Sequence, residues 1–449
     1  MARKGLFEDL PEQMAAKETE SLGRPRMREP VRDQLELRCT DLESLIGEDN
    51  PARLFWAYAE QVDLRELEDA IKAREGHPGH PPITPRLMLA LWLYAYSQGV
   101  GSARALDRLC TSHDGYRWLC GGVSVNYHTL SDFRVGHDDL LEKLLILHLA
   151  SLAAAGLVDF TTLIQDGIRI RAAAGAASFR RRATLEQLEG AARDLVEHLR
   201  GELHEDTEAS NRRIRAARER AARERAGRLE AALKAQSEVE AQRKRREKKN
   251  ANQTKKQKEP RSSTTDPQAR VMKMADGGFR PAWNVQVVTA GEEQVVIAVE
   301  PTSIGSDRGL MRPMLEAIHE RLGRLPERYL VDGGFMAGPD IEWAHESGVE
   351  VYCAPTRSKH GGDPYAPRRT DGPGVRAWRA RMASEQGQER YKRRGIGECV
   401  HARWRNWDLE QLTVRGAIKV KKVMLWYALA NNILQGRRLR LQRLGAVYG

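Results

Sequence analysis

From about residue 184 to 250 the chain is built largely of Ala, Glu, Arg, Gln and Leu. Apolar positions recur only loosely, at Leu185, Leu188, Leu195, Leu199 and Leu203, then at Ile214, Leu229 and Leu233. Such a pattern reads as a solvated coiled coil or helical hairpin. It then turns strongly basic, with nine Lys/Arg against one Glu over 241–258, and closes at Pro260 and the Ser/Thr run 262–265. Strand patterns lie on both sides of it. Whatever sheet this chain forms must therefore accommodate a long helical excursion after its first strand.

Before the excursion the pattern is helical. Residues 1–35 are polar and lack an apolar period, which suits a loose arm. Thr84-Pro85 reads as an N-cap and first-turn proline opening the run Leu87 to Tyr96. Gly99 and Gly101 end that run, Ser102 can cap the next helix, and Asn126 a third after Gly121-Gly122. Short helices joined by glycine turns suit either a DNA-reading helix-turn-helix or an ordinary bundle. At Val158 the period changes, and Phe160 to Ile170 reads as a strand. After the excursion, Val285, Val287 and Gln294 to Val299 read as a hairpin. Leu310 to Leu322 reads as a helix, Arg328 to Asp332 and Val349 to Cys353 as strands, and about 385–406 and 417–435 as helices. The second half is thus mixed α/β.

The net charge of +11 points to a polyanionic partner, nucleic acid before membrane. Its distribution is uneven. Residues 180–260 carry 23 basic and 15 acidic side chains, and 436–449 carry four arginines and no acid, leaving 46 basic against 47 acidic elsewhere. Neutralising ~5–8 phosphates with the 241–258 run would give a log–log salt slope of about −5 to −7; a solvated linker is the competing reading. The five cysteines are widely spaced with no Cys-x-x-Cys pair, which excludes a zinc ribbon and suits free thiols in a reducing compartment. The longest nearly uncharged stretch, Leu144 to Val158, is too short to span a bilayer. The N-terminus lacks the apolar core of a signal peptide, so a cytoplasmic location is expected.

Phosphate loops, dinucleotide fingerprints, His-Glu-x-x-His and Gly-x-Ser-x-Gly are all absent, which leaves carboxylates to carry any chemistry. Asp166-Gly167 ends the first strand and Asp332-Gly333-Gly334 a later one. Carboxylates at strand ends are held rigidly, and two or three together suit Mg²⁺, a hard cation that prefers oxygen. For either Asp-Gly alone an ordinary turn is the competing reading. On a continuous helix, Tyr391, Arg394, Glu398 and Arg405 fall at about 0°, −60°, −20° and −40°, a single stripe. That stripe sets Glu398 between arginines able to hold phosphates. A surface helix with i,i+3/i+4 pairs would look similar, and Glu385, Glu389 and Glu410 compete for the role. Trp404 and Trp407 suit core packing better than stacking on a flipped base.

These residues resemble the DDE transposases of bacterial insertion sequences. The nearest subgroup has a signature of Tyr, two residues, Arg, three residues, Glu, six residues, Lys. Residues 391–405 match it except that Arg405 stands for Lys. Asp166-Gly-Ile and Asp332-Gly-Gly-Phe335 are similar to the first two acid motifs. Thr265 to Arg270 and Trp283-Asn-Val-Gln286 are similar to the Asp-Pro and Tyr-Asn-x-Gln segments. Pro82 to Arg134 resembles the N-terminal helical domain, and Val414 to Asn432 the closing helix.

The resemblance implies a ribonuclease-H-like mixed sheet flanked by helices, an all-α N-terminal domain, and a long helical and basic insertion after the first strand. The corresponding segments are an arm (1–35), a helical DNA-binding domain (36–157), a catalytic core (158–183 and 260–435), the insertion (184–259) and a basic tail (436–449). It also implies that Asp166, Asp332 and Glu398 are catalytic and hold Mg²⁺, which Mn²⁺ can replace. Tyr391, Arg394, Arg405, Arg169, Arg171, Lys244, Arg245, Arg246, Lys248 and Lys249 are the expected contacts to double-stranded DNA. The expected activity is cleavage at terminal inverted repeats and transfer of 3′-hydroxyl ends to a target by two-metal-ion phosphodiester chemistry, by a homodimer or larger assembly. A nuclease without strand transfer and a non-catalytic DNA-binding relative are the alternatives.

Overall fold

The computed structural model describes residues 41–74, 81–137, 139–205, 209–249, 259–355 and 362–448. The expected arm at 1–35 lies outside them. The elements below all belong to the unit Leu42–Gly449. It opens with seven helices: α1 (Pro51–Gln61), α2 (Arg65–Asp69), α3 (Pro85–Ser97), α4 (Ala103–Ser112), α5 (Asp114–Cys120), α6 (Tyr127–Val135) and α7 (Leu140–Ala154). Local chemistry sets their starts. The side chains of Asn50, Ser102 and Asn126 accept hydrogen bonds from Ala52, Ala105 and Thr129. Thr84 stands at the N-cap of α3 without a side-chain bond, so Pro85 sets that start. Gly121, in the left-handed region at φ 53°, ends α5. Almost every residue of α3 is buried, which makes it the central helix of this part.

The sheet begins at β1 (Thr162–Arg171). After β2 (Phe179–Arg180) come the excursion helices α8 (Arg182–Glu205) and α9 (Ala209–Lys249). Then follow β3 (Ser262–Ser263), β4 (Arg270–Lys273), β5 (Phe279–Ala290), β6 (Val295–Thr302), α10 (Met311–Leu322), β7 (Arg328–Val331), α11 (Gly338–Glu346) and β8 (Glu350–Tyr352). Four helices complete the chain: α12 (Pro373–Ala383), α13 (Glu385–Lys392), α14 (Ile396–Asn406) and α15 (Ala417–Tyr448). One edge of β5 pairs antiparallel with β1 and the other with β4 and β6. β7 lies parallel to β1, and β8 parallel to β7. This is the ribonuclease-H-like mixed sheet flanked by helices.

The excursion is a helical hairpin with a core of its own. Arg182 meets Glu240 at one end and Arg200 meets Glu219 further along, so the two helices run antiparallel. Leu185, Ala192, Leu229 and Ala232 are buried between them, apart from the main core. A two-residue ladder, β2 on β3, closes its base. Beyond it, buried Asp266 accepts the Trp283 indole N–H at 3.1 Å and the Gly416 N–H at 3.2 Å, while Gln268 accepts the Ala417 N–H at 2.7 Å. The Asp-Pro-Gln and Trp-Asn segments therefore tie the returning chain to β5 and cap α15.

Two expectations are corrected. The stretch 385–406 is not one helix: a 3₁₀ turn at Arg393–Gly395 separates α13 from α14. The 436–449 segment is not a separate tail, because α15 runs on to Tyr448. Arg437 meets Asp49 at 3.1 Å, Arg438 donates to Gln435 and to the Glu293 carbonyl, and Arg443 donates to the Ala155 carbonyl. Three of its four arginines thus have hydrogen-bond partners within the chain. Among the described residues no helix is long and apolar enough to cross a membrane.

One hydrophobic core runs through the N-terminal helices, the sheet and α15. α15 is fixed to the outer edge of β6 by Asn432, which accepts the Val296 N–H and donates to the Val296 carbonyl, both at 2.7 Å. Asn432→Ala strands two fully buried backbone groups. The expected cost is about 2–4 kcal/mol, read as a lower denaturation midpoint with an unchanged denaturant slope.

Candidate active site

Strand register brings the first two acids together. Gln165 of β1 pairs with Val331 of β7, and one residue further on stand Asp166 and Asp332. Adjacent strands lie about 4.8 Å apart, so the two carboxylates arise side by side. β7 stops there while β1 continues to Arg171, which leaves that edge of β1 open from Gly167 to Ile170, until Arg171 bridges to Gln411. Asp166 accepts the Gly167 N–H at 2.8 Å, and Asp332 the Gly333 N–H at 2.7 Å. Gly167 cannot be replaced cheaply: a Cβ would lie 2.7 Å from the Asp307 carboxylate and 2.9 Å from the Asn284 and Gln286 amides.

The third acid arrives on α14, whose buried face is Gly397, Val400, His401 and Trp404. A Cβ on Gly397 would lie 2.9 Å from Ile164 Cγ2, so only glycine allows α14 this close to β1. Glu398, the next residue, is largely exposed and ion-paired to Arg394 at 3.2 Å. Arg394 lies over the Tyr391 ring, 5.8 Å from its centroid. The stripe thus survives in part despite the 3₁₀ turn. Tyr391, Arg394 and Glu398 stay together, and Arg405 joins the same region from the far end of α14.

A cleft of about 590 Å³ follows the open edge of β1, lined by Asp166, Asp332, Arg169, Arg171 and Arg405 among others. Glu398 is not in its wall. Alternation puts Arg169 and Arg171 on the sheet face opposite Asp166, and both guanidiniums are engaged. Arg169 donates to the Lys273 and Gly305 carbonyls, and Arg171 to Glu410 at 3.0 Å. Of the expected acid competitors, Glu389 pairs with Lys392, and Glu410 lines the cleft. Lys244 is exposed on α9, away from the cleft lining. The side chains of Arg245, Arg246, Lys248 and Lys249, and all of 250–258, lie outside the described residues. Trp404 is fully buried, and Trp407 stacks on Tyr427.

Electrostatics single out Asp166. Burial first pushes its carboxyl up to about 6; Glu398 and Asp332 push the same way, against the Gly167 N–H and Arg394. His401, to which the sequence reading gave no role, is buried with Nδ1 3.4 Å from the Asp166 carboxylate. Burial and then the Arg405 charge lower it to about 4, so it is neutral at pH 7. The only hint in the sequence was its place three residues after Glu398, on the same helix face.

The Transposase domain (DUF772) family model matches residues 40–136, and the Transposase DDE domain model matches 237–433. The chain belongs to the DDE transposase family. No curated protein and no solved structure matches it. In this transposase the DDE match takes in Asp332 and Glu398 but not Asp166. Asp166 lies on the other side of the helical excursion, and the pairing of β1 with β7 sets it beside Asp332.

The family uses divalent metal. Among the described residues no group of three or more His, Cys, Asp or Glu stands at metal-ligand spacing. The donors are nonetheless all carboxylate oxygens, the chemistry of a hard cation. Asp166 is crowded by the like charges of Glu398 and Asp332, which Arg394 and the Gly167 N–H only partly offset, and such an ion would neutralise that charge. The residues fit.

The raised Asp166 pKa has a consequence for stability. A carboxyl raised in the folded state stabilises the fold fully below its unfolded pKa of about 3.9, and that contribution is lost as pH rises through about 6. Above pH 6 the metal-free transposase carries a charge it would be more stable without. Asp166→Asn is expected to raise the thermal midpoint at pH 7.5, worth up to roughly 2–3 kcal/mol, with little effect at pH 4. Differential scanning calorimetry at the two pH values, with chelator present, checks this.

Proposed function

We propose that this transposase cleaves DNA at the terminal inverted repeats of an insertion element and transfers the 3′-hydroxyl ends to a target. Asp166, Asp332 and Glu398 form its catalytic set. The observation that carries this reading is the register of β1 on β7, which raises Asp166 and Asp332 side by side at the head of an open cleft. Glu398, on a helix held against β1, would complete the set from outside the cleft wall. Perturbed carboxylates in a cleft mark functional sites.

The three carboxylates would hold Mg²⁺, or Mn²⁺ in its place. That ion supplies Lewis acidity to activate a water or hydroxyl and to stabilise the leaving oxygen at phosphorus. Arg394, braced on Tyr391, and Arg405 hold the phosphodiester against the acids. Arg169 and Arg171 stiffen the open edge of β1 and add positive potential along the cleft. Neutral His401 fixes the orientation of the Asp166 carboxylate without competing for the cation. The basic end of α9, from Lys244 through Arg245, Arg246, Lys248 and Lys249, adds non-specific contacts to double-stranded DNA. Two ends must be held at once for joining, which requires a dimer or larger assembly on DNA, acting in the cytoplasm at the nucleoid.

With Mg²⁺ present, purified protein is expected to nick a duplex carrying the element ends and to join pre-cut ends to a second duplex. Asp166→Ala, Asp332→Ala and Glu398→Ala each lower both rates by at least about a thousandfold, the several kcal/mol that metal-assisted stabilisation contributes. Full activity in any one of them removes that acid from the set. Nicking without joining of pre-cut ends would leave a nuclease.

A further inference from the structure

A second pocket, of about 320 Å³, lies at the base of the helical excursion and outside the cleft. Arg225, Arg228 and Leu229 of α9 line it together with Leu188 of α8, Thr264, Thr265 and Arg415. No carboxylate lines it. Three guanidiniums from two separate elements face one space.

Their pairing sets them apart. On the same hairpin, Arg182, Arg200 and Arg223 are each ion-paired to Glu240 or Glu219. Arg228 has only a 3.9 Å contact with Glu224. Among the described residues the side chains of Arg225 and Arg415 have no partner, although both are exposed and within reach of solvent anions. Arg218 is likewise exposed and unpaired, one heptad before Arg225. Seven residues of helix carry it about 10 Å along the same face, the rise of roughly three nucleotides on one DNA strand. The planar guanidinium fork matches phosphate, and threonine hydroxyls can donate to it.

We propose that this pocket and the Arg218–Arg225 face of α9 form a second binding site for the DNA phosphate backbone, separate from the cleft. The helical excursion thereby grips DNA through its side as well as through its basic end. A row of unpaired cations leading out of a pocket along a helix suits a polyanion with regularly spaced charges better than a single small anion. The proposal rests on the reading of the chain as a DNA-processing transposase.

The test is duplex binding by fluorescence anisotropy between 50 and 200 mM salt, comparing wild type with the double variant Arg225→Ala/Arg415→Ala. Loss of two phosphate contacts flattens the log–log salt slope by about 1.8 units. The wild type's affinity advantage at 50 mM should then shrink about twelvefold at 200 mM. Both side chains are exposed and unpaired, so the thermal midpoint should not change. An unchanged slope and affinity in the double variant overturns the second site while wild-type binding leaves the transposase reading standing. A wild type with no salt-dependent duplex binding overturns both. A third arm measures thermal stabilisation by inorganic phosphate. If phosphate stabilises wild type but not the double variant, and duplex affinity is equal in the two, the pocket takes a small phosphate ligand and the DNA assignment is overturned.

Discussion

A close approach between a helix and the sheet, Gly397 of α14 against Ile164 of β1, sets the geometry of the site. A side chain there would meet Ile164 Cγ2 at 2.9 Å and push the helix outward. The next residue is Glu398, and the residue that ends the following turn is His401. Because side chains in a packed interior do not compress, a displacement at Gly397 moves both away from Asp166. The buried face that continues the contact, Val400, His401 and Trp404, keeps α14 in register along β1. Asp166 and Asp332 need no such device, since strand pairing alone places them. The site thus has a rigid half made by the sheet and a docked half that depends on one glycine.

The excursion explains how a continuous site arises from distant segments. Its hairpin has its own small core, its base is closed by β2 on β3, and Asp266 ties the returning chain to Trp283 and Gly416. Most of its strain-free length can therefore vary without moving β1 relative to β5. α15 does the same for the N-terminal helices. It packs on α3 and α7 on one side and fixes β6 through Asn432 on the other, so the helical part and the sheet share one interior.

Much of this was legible in the sequence where the cause is local. Ser102 and Asn126 were read as caps and cap their helices, because a cap needs only the next few residues. Asp332 was read as a strand end and is one, since β7 stops at Val331; Asp166 was read the same way from its Asp-Gly, but it lies within β1, which pairing with β5 carries on to Arg171. Causes that act across the chain were not legible. The wheel over 391–405 assumed an unbroken helix, and nothing local announced the 3₁₀ turn at Arg393–Gly395. The charge at 436–443 read as a basic tail open to DNA or to solvent, but its partners Asp49, Glu293 and Ala155 come from three turns far away in the sequence. The Trp283 motif read as part of a functional pattern, yet its indole serves a buried carboxylate of the returning loop. His401 acquires its neighbour Asp166 only when α14 docks on β1.

The central claim is that Asp166, Asp332 and Glu398 share one divalent cation site. Iron-directed cleavage tests it most directly. Fe²⁺ replaces Mg²⁺ on the full chain, ascorbate and peroxide generate hydroxyl radicals at the bound ion, and mass spectrometry maps the cut backbone. The expected result is three clusters of cuts, around 166, 332 and 398, all suppressed by excess Mg²⁺ and all lost together in Asp166→Ala. Cuts confined to one of these segments, or centred elsewhere in the chain, would contradict a shared site.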